Sequence, residues 1–268
     1  MTIHKKTIGL LGGGQLARML ALKARQMGFE TIVMCAKLNE PAASVASEVI
    51  LGNLKSEKDL KKIITRSDVI TFESEFIPSA ILRKSLKGMR GKKIYPSLDC
   101  LGGLQDRLRQ KEWLCDYEIP TLDHVKINSK EDMLLAFNAF DHKIVFKRRF
   151  GGYDGNGTYV IKTKMDLEQF KLHFKGEESQ FIIEPFRIFK SEKSLLFARN
   201  IQGEMVVLPM ITSVQKNNQC DYVMGPTTHP QQHQLTEKIK HFLNQIGYVG
   251  VIAFELFDFG REDRKSVV

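Results

Sequence analysis

The sequence predicts an α/β and α+β chain: a parallel sheet covered by helices on both faces over residues 1–98, then an α+β domain over residues 99–268. Three observations carry this. Short apolar runs alternate with amphipathic stretches through the first part, and a glycine turn joins the first run to the first helix. Beyond residue 98 the pattern changes to strands separated by glycine and polar turns. A hydrophobic fraction of 43% with 26% charged residues excludes a disordered or collagen-like chain of this length.

Residues 7–11 form a short buried run, Gly12-Gly13-Gly14 the turn, and residues 15–28 an amphipathic helix. Strands follow at 31–36 and 49–52. Ser56 with Asp59 makes a capping box for a helix reaching Arg66, residues 69–73 are again strand-like, and Pro78 opens the next helix. A helix over 105–117 and the Ile119-Pro120 turn lead into the second part. There the spacing predicts strands at 144–149, 158–162, 181–187, 194–200, 204–210 and 249–257, and helices at 129–140, 166–174 and 231–246.

Charge and cysteine usage narrow the function classes. The net charge of +9 lies wholly in residues 1–98, which hold 17 Lys+Arg against 8 Asp+Glu, while residues 99–268 hold 23 of each. A basic domain suits a phosphorylated small molecule or plain solvation; with no aromatic interleaving and no nucleic-acid module, no nucleic-acid partner is expected. No run approaches the roughly 18 apolar residues of a membrane span, so no membrane partner is expected either. Cys35, Cys100, Cys115 and Cys220 are widely spaced, which fits a reducing cytoplasm.

Several motifs could carry chemistry. Gly12, Gly14 and Ala17 follow the pattern of a strand-to-helix turn whose N–H groups face an anion. The second strand ends Met34-Cys35-Ala36-Lys37 without an acid, which disfavours NAD and leaves NADP, a monophosphate beside Gln15, or a simple tight turn. In Phe150-Gly151-Gly152-Tyr153-Asp154-Gly155-Asn156-Gly157, four glycines in seven residues suggest a flap whose N–H groups close over phosphates, with Lys147 beside it; a flexible hairpin is the alternative. Glu184 ends a buried strand before Pro185 and Phe186, where backbone groups are freed for a ligand such as an adenine edge. Glu255 stands among apolar residues, where a carboxylate wants a cation; magnesium held with nucleotide phosphates is one candidate and an arginine or solvent another. Glu73 and Glu75, two residues apart, share one face of a strand's carboxyl end, where open α/β sheets bind ligands.

Together, residues 8–20, Thr71-Phe72-Glu73-Ser74-Glu75, Gln105-Asp106-Arg107-Leu108, residues 146–157, Ile183-Glu184-Pro185-Phe186 and residues 247–251 resemble the 5-(carboxyamino)imidazole ribonucleotide synthetases, ATP-grasp enzymes of purine biosynthesis. The resemblance covers about residues 7–258. It implies an ATP-grasp fold behind a Rossmann-like domain and a cytoplasmic, dimeric ligase that uses ATP, magnesium and bicarbonate to carboxylate the amine of aminoimidazole ribonucleotide. On the family motifs, Arg107, Lys147, Gly151, Gly152, Gly155 and Gly157 contact ATP phosphates, Glu184, Pro185 and Phe186 the adenine, Glu192 the ribose, and Glu255 magnesium. Gly14, Gln15, Glu73, Glu75 and Tyr153 contact the imidazole ribonucleotide, and Lys147, Tyr153 and Asp154 act in catalysis.

Departures from the family are expected to matter. Ala17 replaces a common glycine, and Gln215 stands where many members have histidine. After Gly260 the residues no longer resemble the family's continuation, so its C-terminal domain and second magnesium carboxylate are expected to be missing and activity to be impaired. A nucleotide-binding protein without turnover, or a different ATP-grasp ligase, are the competing readings.

Overall fold

A computed structural model describes residues 5–152, 155–216 and 219–260. They divide into two compact units, Met1–Gly102 and Gly103–Val268.

The first unit is a five-stranded parallel sheet in the order β3-β2-β1-β4-β5, formed by β1 (Thr7–Leu11), β2 (Glu30–Cys35), β3 (Glu48–Leu51), β4 (Val69–Phe72) and β5 (Lys93–Ile94). Alternation along the strands gives each face its own core. Leu10 and Val33 pack with Ala17 and Ala21 of α1 (Gln15–Gln26), where alanine methyls let the helix approach closely. Leu11, Ile32 and Met34 face Leu60, Ile63 and Ile64 of α2 (Glu57–Arg66), with Leu82 of α3 (Ser79–Leu86) beyond. The expected parallel sheet with helices on both faces is therefore present. The α2 capping box is half made: Ser56 accepts from Asp59 N, whereas the Asp59 carboxylate accepts from Asn53 N.

The expected helix at 105–117 begins at Arg107, with Asp106 alone between it and the end of α4 (Leu98–Gln105). Asp106 breaks the run by capping α5 (Arg107–Asp116), accepting from Leu108 N at 3.1 Å. A four-stranded antiparallel sheet runs β6-β9-β7-β8, with β6 (Val125–Lys126), β7 (Ile144–Arg148), β8 (Thr158–Ile161) and β9 (Phe181–Pro185). Phe146, Phe181 and Ile183 point from it into a core with α6 (Lys130–Ala139) and α7 (Lys164–His173); the intervening Lys147 and Glu184 point the other way.

A second antiparallel sheet runs β11-β10-β12-β13, with β14 on the other side of β10. Its strands are β10 (Ser191–Arg199), β11 (Met205–Val207), β12 (Ile211–Lys216), β13 (Gln219–Met224) and β14 (Gly250–Asp258). Leu195, Phe197, Phe254 and Leu256 face α8 (Gln232–Gln245), which supplies Ile239, Phe242 and Leu243. The opposite face carries Glu192, Ser194 and Glu255. The β12–β13 hairpin was not among the expected elements, because every residue of β13 is exposed and no alternation marks it.

Candidate active site

In the second unit the site is built around a buried carboxylate. Glu184 is 2% exposed, with Lys147 Nζ 2.7 Å from Oε2 and Lys111 Nζ 2.9 Å from Oε1. Burial pushes the Glu184 carboxyl up, but the Lys147 and Lys111 ammoniums outweigh it and hold the group below the ordinary range. Lys111 is itself buried, and burial lowers its ammonium despite Glu184; it also donates to Thr121 Oγ1 at 2.8 Å. Oε1 is buried and its neighbour among the described residues is the Lys111 ammonium, leaving it room for a further donor. An acceptor so placed suits an N–H donor from a ligand. His124 lies near enough to feel Lys111, and burial followed by that charge lowers its imidazole.

Sequence reasoning missed Lys111, although a signal was present: Leu108, Lys111 and Leu114 recur at the spacing of the buried face of α5. Neither Asp106 nor Arg149 was expected to have a role. Their guanidinium–carboxylate pair uses both oxygens, with Arg149 Nε 2.9 Å from Asp106 Oδ1, and Arg107 N donates to Arg149 O at 2.9 Å. This clamp fixes the start of α5 against the end of β7. Arg148 turns to the opposite side, pairing with Glu177 at 3.0 Å and lying over the rings of Phe174 and Phe181.

The glycine loop joins β7 to β8. Gly151, Gly155 and Gly157 have φ of 71°, 78° and 79°, which side chains avoid. Arg107 donates to Gly152 O at 3.2 Å, and a Cβ at Gly152 would meet that guanidinium at 3.2 Å and Asn156 O at 3.1 Å. Arg107, Lys147 and the loop backbone thus bring positive charge and N–H groups to one side of Glu184. Tyr153 and Asp154 lie outside the described residues.

One expectation for this unit needs correction. Phe186 N donates to Lys143 O at 2.9 Å, so the chain after Pro185 does not leave that donor free; Phe186 instead places its ring 5.0 Å from Lys162 Nζ. Glu255 reaches solvent, one of the alternatives its sequence setting left open, because alternation sends Phe254 and Leu256 inward and Glu255 to the open face. Glu255 opposes Ser194 across the strands, and Glu192 lies on the same face. Burial raises the half-buried Glu192 carboxyl, Gln215 opposes this by hydrogen bonding, and the Glu255 charge adds to the rise. Two carboxylates that repel one another on an open face suit a shared cation. Among the described residues no group of three or more His, Cys, Asp or Glu could hold a metal alone. A cation here therefore needs ligands from elsewhere, as magnesium takes from phosphates.

The first unit holds the other expected residues. Glu73 Oε2 accepts from Ala17 N at 3.3 Å at the start of α1, and a Cβ on Gly12 or Gly14 would run into the Glu73 carboxylate. At Ala17 N the negative charge favoured by that helix end is the protein's own carboxylate. Glu40 does the same at the next strand, accepting from Ala36 N at 2.7 Å and Lys37 N at 2.8 Å, where a dinucleotide's ribose would lie. Glu73 and Glu75 do not share a strand face, since β4 ends at Phe72; Glu73 turns to α1 and Glu75 is exposed. Gln15 is exposed at the first position of α1.

The chain matches known proteins over most of its length. Residues 112–266 match the ATP-grasp domain and residues 5–105 the ribonucleotide synthetase preATP-grasp domain. The chain is 30% identical over 253 residues to an N5-carboxyaminoimidazole ribonucleotide synthase of Synechocystis sp., covering 94% of this chain and 63% of that protein. It is 29% identical to a phosphoribosylaminoimidazole carboxylase of Candida glabrata, covering 95% of this chain and 45% of that one. The crystal structure of the Staphylococcus aureus N5-carboxyaminoimidazole synthetase complexed with ADP superposes with a TM-score of 0.85 at 28% identity, covering 96% of this chain and 68% of that one.

Proposed function

Because the chain belongs to the ATP-grasp family and has that fold, we propose that it binds MgATP in its second unit and carboxylates 5-aminoimidazole ribonucleotide with bicarbonate, releasing ADP and phosphate. The observation that carries the reading is the Lys111–Glu184–Lys147 cluster beside the glycine loop. Glu184 Oε1, buried with room for a further donor, accepts the adenine amino group. Lys147, Arg107 and the N–H groups of the loop take the phosphates, where positive charge aimed at developing negative charge lowers the barrier. Glu192 receives the ribose hydroxyls. Glu255, with Glu192 beside it, presents a carboxylate to magnesium, which when bound with the phosphates neutralises their charge.

The chemistry proceeds in two displacements. A bicarbonate oxygen attacks the γ-phosphorus as the bond to ADP breaks, and the ribonucleotide's exocyclic amine then attacks the carboxyl carbon, expelling phosphate and losing a proton. Gly14, Gln15, Glu73 and Glu75 of the first unit present the ribonucleotide.

The relatives' lengths set the scope of this proposal, since the chain spans 63% of the Synechocystis protein and 45% of the Candida one. We place the protein in the cytoplasm as a homodimer, as the family resemblance implies; α1 exposes Leu16, Met19 and Leu20 as a face that a second copy can cover. No helix among the described residues is long and apolar enough to cross a membrane. The test is calorimetric titration with MgATP beside ADP release with and without bicarbonate and the ribonucleotide. Binding that Lys147→Met abolishes, with ADP release requiring both substrates, is the expected result. Failure to bind MgATP refutes the assignment; release stimulated by another small acid reassigns the reaction.

A further inference from the structure

The back of the β10–β14 sheet, opposite Glu192 and Glu255, contains a cavity of about 170 Å³ between the start of α8, the ends of β10 and β14, and Pro120. No role in the proposed reaction reaches it. Its polar end holds Lys193, His229 and Asp258, and its apolar end Met210, Leu235 and Leu256.

Hydrogen-bond accounting at the polar end leaves a surplus of donors. Lys193 is 9% exposed, yet its three-donor ammonium makes one long contact, to Thr212 Oγ1 at 3.4 Å, and stands 3.8 Å from Asp258 Oδ2. A buried cation so poorly paired is costly. His229 Nδ1 accepts from Gln231 N at 3.2 Å, which makes Nε2 the protonated nitrogen. That N–H faces Asp258 Oδ1 at 3.7 Å, beyond hydrogen-bonding reach. Asp258 lines the cavity as well and stands 3.7–3.8 Å from both groups, but its closer partners lie outside the cavity, Gly260 N at 2.8 Å from Oδ1 and Ser191 Oγ at 3.3 Å from Oδ2, so that a ligand carboxylate would share Lys193 and His229 with it.

We propose that this cavity binds a small organic carboxylate of about four to six carbons, its carboxylate received by Lys193 Nζ and His229 Nε2 and its apolar body lying against Leu235, Leu256 and Met210. The size matches: cavities of about 150 Å³ accommodate a benzene-sized ligand. Because β10 and β14 carry Glu192 and Glu255 on their other face, the occupant stiffens the strands that present those carboxylates.

Isobutyrate is the probe, titrated into the full chain and followed by saturation-transfer NMR, with isobutyramide and inorganic phosphate in parallel. The expected dissociation constant is about 1 mM, the affinity that six heavy atoms sustain. The amide should bind at least about tenfold more weakly, since it lacks the charge for Lys193. Lys193→Met should lose about tenfold or more in isobutyrate affinity. Leu235→Phe, which fills the apolar end without removing a charge, should lose it too while MgATP binding stays unchanged. Equal binding of acid and amide, unchanged affinity in Leu235→Phe, or no saturation overturns the proposal. Saturable binding of phosphate without isobutyrate also overturns it, reassigning the pocket to an inorganic anion. The outcome is independent of whether the nucleotide site turns over.

Discussion

Replacing Glu184 by Gln keeps the shape of the side chain and removes the one negative charge between Lys111 and Lys147. Both ammoniums lie within 2.9 Å of that carboxylate, and Lys111 is buried with it, 6% exposed against 2% for Glu184. Breaking a buried pair by removing one partner costs about 3–5 kcal/mol, because the remaining charge stays desolvated. Lys147, with a side chain 21% exposed, can turn to water and Lys111 cannot, so we take the lower value, about 3 kcal/mol. For a unit of this size the melting temperature should fall by roughly 6–12 °C. Trp113, the chain's single tryptophan, lies on α5 two residues from Lys111 and against Phe242, so its fluorescence in a urea titration reports this unit. The sign with pH is fixed. Glu184 titrates below its ordinary value of 4.5 in the folded state, so its stabilisation is complete above 4.5 and is lost as pH falls through the folded value. The gap between wild type and Glu184→Gln should therefore close in acid. Adding Lys111→Met to Glu184→Gln should restore most of the loss. A single variant within about 0.5 kcal/mol of wild type at pH 7 would refute the reasoning, since burial this deep leaves no solvent to replace the missing charge.

Other residues make separate demands. Gly12→Ala forces a side chain onto φ 109° and into the Glu73 carboxylate, and calorimetry should show the first unit destabilised by about 1–3 kcal/mol. Glu73→Ala should cost about 1 kcal/mol in the same assay, and millimolar phosphate should stabilise the variant but not the wild type, because the emptied helix start then accepts an external anion. Arg107→Met should weaken MgATP binding about 10- to 100-fold in calorimetry, the worth of a charge-assisted contact. Glu255→Gln, on an exposed position, should leave urea stability unchanged and weaken ATP binding only when magnesium is present.

The sequence exposed those parts of the molecule whose local rules are strong. Glycines that need positive φ marked the turn before α1 and the loop after β7, and apolar runs marked the strands of the parallel sheet. The β12–β13 hairpin escaped because β13 buries none of its residues and carries no alternating pattern. Lys111 escaped because lysine in a charged helix reads as solvated until its position on the Leu108–Leu114 face is counted.

Side-chain direction at strand ends was the harder problem, and it changed the chemistry assigned. Glu255 had an apolar neighbourhood in sequence and an exposed face in the fold, whereas Glu184, at a similar strand position, is fully enclosed and needs two cations. The difference follows from what covers each sheet face. In the first sheet the face bearing Glu184 is met by α5, which brings Lys111; in the second the face bearing Glu255 is left open while α8 covers the reverse. Glu73 and Glu40 make the same point in the first unit. Their carboxylates turn back onto backbone N–H groups beside the carboxyl ends of β1 and β2, Glu73 to Ala17 and Glu40 to Ala36 and Lys37, a direction that strand position alone does not reveal. In the proposed reaction the phosphates of ATP are left to Arg107, Lys147 and the glycine loop of the second unit.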